Sequence, residues 1–135
     1  STYFKGGVIS YTNEIKEHLL GVDHQLLEEQ TAVCEDVAKA MVKGAIKTLG
    51  VDFAIASTGT AGPGGGTPSI PVGTIWLACG NADNIITMKL TEDYGSDINL
   101  AIATSKALQM FIDFLRDNMP KREDNRKAPV IPVTE

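Results

Sequence analysis

Two short apolar segments, Val51–Ser57 and Thr74–Cys79, constrain the fold of this chain more than any other feature. Each is mostly apolar at successive positions, and the first is bounded by Gly50 and by a glycine-rich stretch. This pattern is typical of strands that are covered on both faces. Strands of that kind need helices above and below them. The two segments therefore predict a layered α/β fold.

Helical periodicity accounts for much of the remaining chain. Apolar residues recur at helical spacing across 35–49, and Gly50 suits the position that follows a helix. A short helix is predicted after Thr12, ending at Gly21. Ser96 is predicted to cap a last helix. Its expected buried stripe consists of Ile98, Ala101, Ile102, Ser105, Leu108, Ile112 and Leu115.

Two further segments are predicted to be strands. Ile86, Met88 and Leu90 alternate with polar residues, and Gly7–Tyr11 is a strand-like run near the start of the chain. Because strands and helices alternate, the expected architecture is a layered α/β/α sandwich with a mostly parallel or mixed sheet. The size of 135 residues suits one domain. The predicted domain covers residues 1–117, and 118–135 is predicted to be a flexible tail with charges and prolines.

Charge and cysteine content exclude several classes of function. The net charge is -5, and the basic residues are scattered except for four within 121–127, a segment that also holds Glu123 and Asp124, so no nucleic-acid partner is expected. No apolar run of membrane-spanning length was found, so no membrane partner is expected. The distant cysteines Cys34 and Cys79 are interpreted as reduced, which favours a cytoplasmic protein. His18 and His24 have no second ligand at zinc spacing, so no metal is expected.

The glycine-rich stretch Ser57–Thr74 is the strongest candidate for a binding site. It follows a buried strand, which is where open α/β sheets bind ligands. Its glycines can bring bare N–H groups close to an anion, and the alternative on composition alone is a surface loop without a ligand. The candidate binding residues are Thr58, Gly59, Thr60, Ala61, Gly62, Gly64, Gly65 and Gly66.

Lys16 and Tyr11 form a second candidate at the junction of the first predicted strand and helix. A partly desolvated lysine has a lowered pKa and can act as a general base. An arbitrary helix lysine is more often solvated, so the pair alone is a weak signal.

Together these segments resemble the C-terminal domain of the competence/damage-inducible protein CinA, a family that includes nicotinamide mononucleotide deamidases of the PncC type. The resemblance covers about residues 1–117. It rests on Tyr-Phe-x-Gly-Gly-Val-Ile-Ser-Tyr-x-Asn-Glu-x-Lys at 3–16, Leu-Gly-Val at 20–22, Ala-Gly-Pro-x-Gly-Gly-Thr at 61–67 and Pro-Val-Gly-Thr at 71–74. Family members carry a helix, a strand and a further helix before this region, so the resemblance implies that an upstream segment is missing.

The resemblance implies an amidase that converts nicotinamide mononucleotide to nicotinate mononucleotide and ammonia. Ser1 takes the position of the family's nucleophile, Lys16 that of the base and Tyr11 that of a nearby tyrosine. If Ser1 were a true terminus, its α-amine would be an alternative base. The implied enzyme needs no cofactor, and a homodimer is expected by similarity.

Two departures from the family favour an alternative. The family often places arginines at the start of the last helix, whereas Gly95 is followed here by Ser96-Asp97-Ile98-Asn99. A lysine commonly precedes the Pro-Val-Gly-Thr block, and Ile70 stands there. Both changes remove cations that would hold a phosphate. The alternative function is a non-catalytic nucleotide-binding or regulatory module.

Overall fold

The computed structural model describes residues 2–118, which form three layers. The layered α/β/α class is confirmed, because α3 packs on one face of a central sheet and α4 packs on the other. In chain order the elements are α1 (Asn13–His18), α2 (His24–Gln30), α3 (Glu35–Leu49), β1 (Ala54–Gly59), β2 (Ile75–Gly80), β3 (Ile85–Leu90) and α4 (Ser96–Asn118).

The sheet has the order β1-β2-β3, and both pairs of neighbours are antiparallel. The expectation of a mostly parallel or mixed sheet is therefore wrong for these three strands, although the layered α/β class holds. Parallel neighbours need a crossover connection, usually a helix. Here the loop 60–74 joins β1 to β2 without a helix, and the turn 81–84 joins β2 to β3, so the chain reverses direction each time.

The layer formed by α3 agrees with the sequence prediction. Gly50 ends the helix with φ 63°, in the left-handed region that glycine adopts at little cost. Val37 and Val42 on this helix are fully buried, and they belong to a core cluster that includes Ala56 and Ala78 of the sheet. Small alanines on the strands leave room for a helix to approach closely, so this face of the sheet is covered by α3.

The layer formed by α4 contradicts the predicted buried stripe. Ile98 and Leu108 are each 53% exposed, and Ile112 is also exposed. The face that packs on the sheet is instead formed by Asn99, Ala103, Ala107, Met110 and Phe114. The helix carries apolar residues on two sides, so periodicity alone could not select one. The bulk of Phe114 and the small alanines fit the sheet surface formed by Ile75, Leu77 and Cys79.

This assignment of the α4 faces predicts that truncating two nearby apolar residues has very different effects on the free energy of unfolding. Met110→Ala should lower the free energy of unfolding by about 2–5 kcal/mol, because it leaves a cavity in the core. Leu108→Ala should change it by no more than about 0.5 kcal/mol, because that side chain is largely in solvent. Urea denaturation of both variants measures the difference. A larger loss for Leu108→Ala would contradict the orientation of the helix.

The start of the chain also differs from the prediction. Gly7–Tyr11 forms no strand, although Val8 packs against the cluster beneath α3. An extended run becomes a strand only when another strand offers it backbone partners, and none of β1, β2 and β3 pairs with it. The short helix α2 was not predicted, although Asp23 gives a signal for it. The Asp23 carboxylate accepts a hydrogen bond from the Gln25 N–H at 3.0 Å and so caps the helix.

In the part of the chain that the structure describes, α4 is the one helix long and apolar enough to cross a membrane. Its inner face packs on the sheet through Met110 and Phe114, as the core helix of a folded domain does. Length and composition are therefore weak evidence for a membrane span.

Candidate functional site

Lys16 is a buried cation on the short helix α1. The Thr12 hydroxyl caps this helix by accepting a hydrogen bond from the Ile15 N–H at 3.3 Å. The side chain of Lys16 is only 6% exposed, and its Nζ donates a hydrogen bond to the Ser10 carbonyl oxygen at 2.5 Å. Among residues 2–118 no carboxylate forms an ion pair with it. The ammonium group is therefore desolvated without a compensating negative charge.

Burial lowers the pKa of Lys16 below its ordinary value of 10.5. Desolvation disfavours the charged form of an amine, and a nearby carboxylate would have opposed this effect. A lysine with a lowered pKa has a larger neutral fraction near pH 7 and can accept a proton. The geometry and electrostatics of Lys16 therefore suit a general base.

Among the described residues, no hydrogen bond joins Tyr11, the second predicted catalytic residue, to Lys16. Tyr11 is 92% exposed, and within the described residues no hydrogen bond joins its hydroxyl to another group. Ser1 lies outside the described residues. The roles assigned to Ser1 and Tyr11 thus remain predictions, whereas the burial of Lys16 is an observation.

The glycine-rich loop, defined here as residues 60–73, is closed at its base by backbone hydrogen bonds. The Thr60 N–H donates to the Thr74 carbonyl at 2.8 Å, and the Gly73 N–H donates to the Thr60 carbonyl at 2.7 Å. Near the tip, the Thr67 N–H donates to the Ile70 carbonyl at 2.9 Å. These bonds extend the β1–β2 ladder beyond its last paired residues and give the loop a defined shape.

Glycine is required at Gly73 in this loop. Its φ of 97° is strained for other residues, and an added Cβ would lie 2.7 Å from the Glu92 carbonyl oxygen. The loop therefore lies directly against the segment that leads from β3 into α4.

Thr58, predicted to bind substrate, is buried at the end of β1. Its hydroxyl donates to the Ala32 carbonyl at 2.8 Å, and so ties the strand to the connection between α2 and α3. The hydroxyl is thus already occupied by a structural contact.

Asn99 on α4 was not among the predicted site residues. It is 2% exposed, and its Nδ2 donates to the Ala61 carbonyl at 3.0 Å and to Asp93 Oδ1 at 2.9 Å. Its Oδ1 accepts a hydrogen bond from the Tyr94 N–H at 2.8 Å. An asparagine between two apolar residues, Ile98 and Leu100, near the start of the last helix was the available signal. Its partners could not be read from the sequence.

A cavity of about 390 Å³ lies beside Asn99, between the end of β3 and α4. Ile75, Leu90 and Ile102 are among its apolar lining residues, and Tyr94 and Lys106 also line it. Its lining includes neither Lys16 nor any of the glycines Gly59–Gly66. The cavity is therefore separate from the predicted catalytic lysine.

The two thiols differ in their surroundings. Burial raises the pKa of the Cys79 thiol to about 11, so this side chain stays protonated and unreactive near pH 7. Cys34 is half-buried at the start of α3, and its Sγ lies 3.7 Å from the Thr31 carbonyl oxygen. Across residues 2–118, no three His, Cys, Asp or Glu side chains are grouped so that they could hold a metal ion.

Comparison with protein families gives a match over most of the chain. The family model for the CinA C-terminal domain matches residues 1–115. A CinA-like protein of Mycolicibacterium gilvum is 48% identical over 92 residues, which cover 68% of this chain and 22% of the relative. A CinA-like protein of Leptospira interrogans is 54% identical over 80 residues, covering 59% of this chain and 19% of the relative. The chain thus spans about a fifth of the length of these relatives.

Solved structures show the same similarity. A competence damage-inducible protein A from Klebsiella pneumoniae superposes with a TM-score of 0.79 at 30% identity, covering 84% of this chain and 70% of that one. A competence/damage inducible protein from Agrobacterium tumefaciens superposes with a TM-score of 0.71 at 37% identity, covering 77% of this chain and 64% of that one. The layered architecture described above is therefore shared with these proteins.

Proposed function

This chain belongs to the CinA C-terminal domain family, and from that membership we propose that it is an amidohydrolase that deamidates nicotinamide mononucleotide to nicotinate mononucleotide and ammonia. The observation that carries the proposal is the burial of Lys16 without a carboxylate partner in the described residues. Such a desolvated amine is costly to a fold, and residues with perturbed pKa values are concentrated at functional sites.

In the proposed reaction, neutral Lys16 accepts the proton of a serine hydroxyl, for which Ser1 is the candidate. The resulting alkoxide attacks the carboxamide carbon and forms a tetrahedral intermediate. The C–N bond then breaks, and the ammonium form of Lys16 returns its proton to the departing nitrogen, so that ammonia leaves. Water hydrolyses the acyl-enzyme to the carboxylate and restores the serine. Tyr11 is proposed to orient the amine or to relay a proton.

The glycine-rich loop is proposed to hold the negative charge of the substrate. Within residues 2–118, the N–H groups of Gly64, Gly65 and Gly66 donate to no other protein group. Unpaired N–H groups on adjacent glycines can approach a phosphate or an oxyanion closely. This supports a nucleotide-binding role that does not depend on arginines at the start of α4.

The test of this proposal is ammonia release from nicotinamide mononucleotide by the purified protein. We expect release above an enzyme-free blank, with equimolar formation of the nicotinate product. Circular dichroism on the same sample should confirm that the protein is folded. A folded protein that releases no ammonia would contradict the amidase proposal.

A non-catalytic nucleotide-binding module is the second candidate. The exposure of Tyr11 favours it, because within residues 2–118 no hydrogen bond holds that side chain against Lys16. Calorimetric titration with the mononucleotide separates the two candidates. Binding without turnover supports the module, and the absence of both contradicts both functions.

A further inference from the structure

We propose that Asn99 is a positioning residue that holds the glycine-rich loop in the shape needed to bind the phosphate of the substrate. This inference rests on the proposed nucleotide-binding role of the loop. Asn99 is not proposed to touch the substrate. It acts through Ala61, whose carbonyl oxygen accepts its side-chain N–H.

The bond from Asn99 joins the loop to the helical layer formed by α4. Among the described residues, it is the one side-chain hydrogen bond that reaches residues 60–73 from another element. The other hydrogen bonds of the loop close its base or its tip. The position of Ala61 relative to α4 is therefore set by Asn99.

Asn99 is itself held firmly, which a positioning residue requires. Its Oδ1 accepts the Tyr94 N–H, and its Nδ2 is shared between Ala61 and the Asp93 carboxylate. Asp93 also accepts the Gly95 N–H at 3.0 Å. The hydrogen bond from Asn99, followed by that from the Gly95 backbone, lowers the pKa of Asp93, so this carboxylate is ionised near pH 7. A bond to an ionised acceptor is stronger than one between neutral groups.

The position of Ala61 matters because it lies three residues before Gly64, the first of the three glycines with unpaired N–H groups. Glycine-rich backbone loses much conformational freedom when it is ordered. A loop that is already ordered binds its ligand with a smaller entropic loss. Removing the Asn99 bond should therefore weaken phosphate binding and leave the chemical step unchanged.

Two variants separate positioning of the loop from simple support of the fold. Asn99→Ala removes all three side-chain bonds. Asn99→Asp keeps the acceptor for the Tyr94 N–H, but it cannot donate to Ala61 and it places a second negative charge beside Asp93. The matched control is Asn118→Ala, on the same helix, whose Nδ2 donates to the Phe114 carbonyl and does not contact the loop.

We expect both Asn99 variants to raise the Kd and the KM for the mononucleotide about tenfold, as the loss of one buried hydrogen bond would. The kcat should stay within about twofold of wild type, since the loop is proposed to hold the phosphate, which takes no part in the chemical step. Binding of the corresponding nucleoside, which lacks the phosphate, should be unchanged. Amide hydrogen exchange across residues 60–73 should be faster in both variants, and Asn118→Ala should resemble the wild type in every measurement.

Wild-type exchange rates with wild-type nucleotide affinity in Asn99→Asp would overturn the inference, because that variant has lost the donor to Ala61. Equal losses of affinity for nucleotide and nucleoside would also overturn it. Failure of the wild type to bind the mononucleotide would overturn it as well. Binding with no ammonia release would instead contradict the amidase proposal and leave the role of Asn99 standing.

Discussion

Replacing Lys16 with arginine or methionine should reduce ammonia release by about 10²- to 10⁴-fold, the usual loss when one general base is removed. Arginine keeps the positive charge but does not deprotonate in proteins, and methionine has no proton-accepting group. Steady-state ammonia assays measure the loss, and calorimetry should show nearly unchanged nucleotide binding. The matched control is Lys43→Met on the exposed face of α3, which should retain wild-type activity.

Lys16 should also make the free energy of unfolding depend on pH. Because the folded-state pKa of Lys16 lies below 10.5, the buried ammonium costs stability in full at low pH. That cost is lost as the pH rises through the folded-state pKa towards 10.5, so stability should increase across this window. Lys16→Met removes the titrating group and should abolish this contribution, and at pH 7 it should be at least as stable as the wild type.

Urea denaturation between pH 7 and 10.5 measures this contribution as the difference between the wild type and Lys16→Met. A solvated lysine would show neither the kinetic loss nor the difference in pH dependence. Retention of most activity in Lys16→Arg would show that Lys16 is not the base, even if the protein is an amidase.

Replacing Phe114 with alanine should lower the free energy of unfolding by about 3–5 kcal/mol. Phe114 is almost fully buried between α4 and the sheet, and its ring meets that of Phe53 edge-on with centroids 6.2 Å apart. Truncation loses the burial of the ring and leaves a cavity that the surrounding strands cannot fill. Since small domains have total stabilities of about 5–15 kcal/mol, a cooperative native state would be severely weakened.

The matched control for this substitution is Phe111→Ala on the same helix. Phe111 also contacts Phe53 with ring centroids 6.2 Å apart, but it is only partly buried. Its truncation should cost less stability than that of Phe114. Equal losses, measured by thermal or urea denaturation, would contradict the burial of Phe114 as the source of the effect.

Several elements of this protein were determined by local sequence. The apolar stripe of Glu35–Leu49 and the left-handed Gly50 fix the length and the inner face of α3. The strands β1 and β2 follow from short apolar runs, and the glycine-rich loop follows β1 as predicted. Each of these features depends on neighbours within a few positions, so periodicity and turn chemistry are sufficient to find them.

The tertiary structure decided the features that depend on distant partners. Gly7–Tyr11 has the pattern of a strand but no strand to pair with among β1, β2 and β3, and the strand directions follow from connections that contain no helix. The two apolar sides of α4 are similar in sequence, and only the shape of the sheet beneath selects the side with Phe114. These outcomes depend on surfaces contributed by several elements at once.

In the candidate site, too, some features could be identified from the sequence and others were decided by the tertiary structure. Sequence alone identified Lys16 and the glycine-rich loop as candidates, because both lie in recognisable motifs next to predicted strands. The burial of Lys16 and the bond from Asn99 to Ala61, 38 positions apart, were decided by the packed fold. Burial and long-range hydrogen bonds depend on which segments the fold brings together, and no local pattern of residues encodes that proximity.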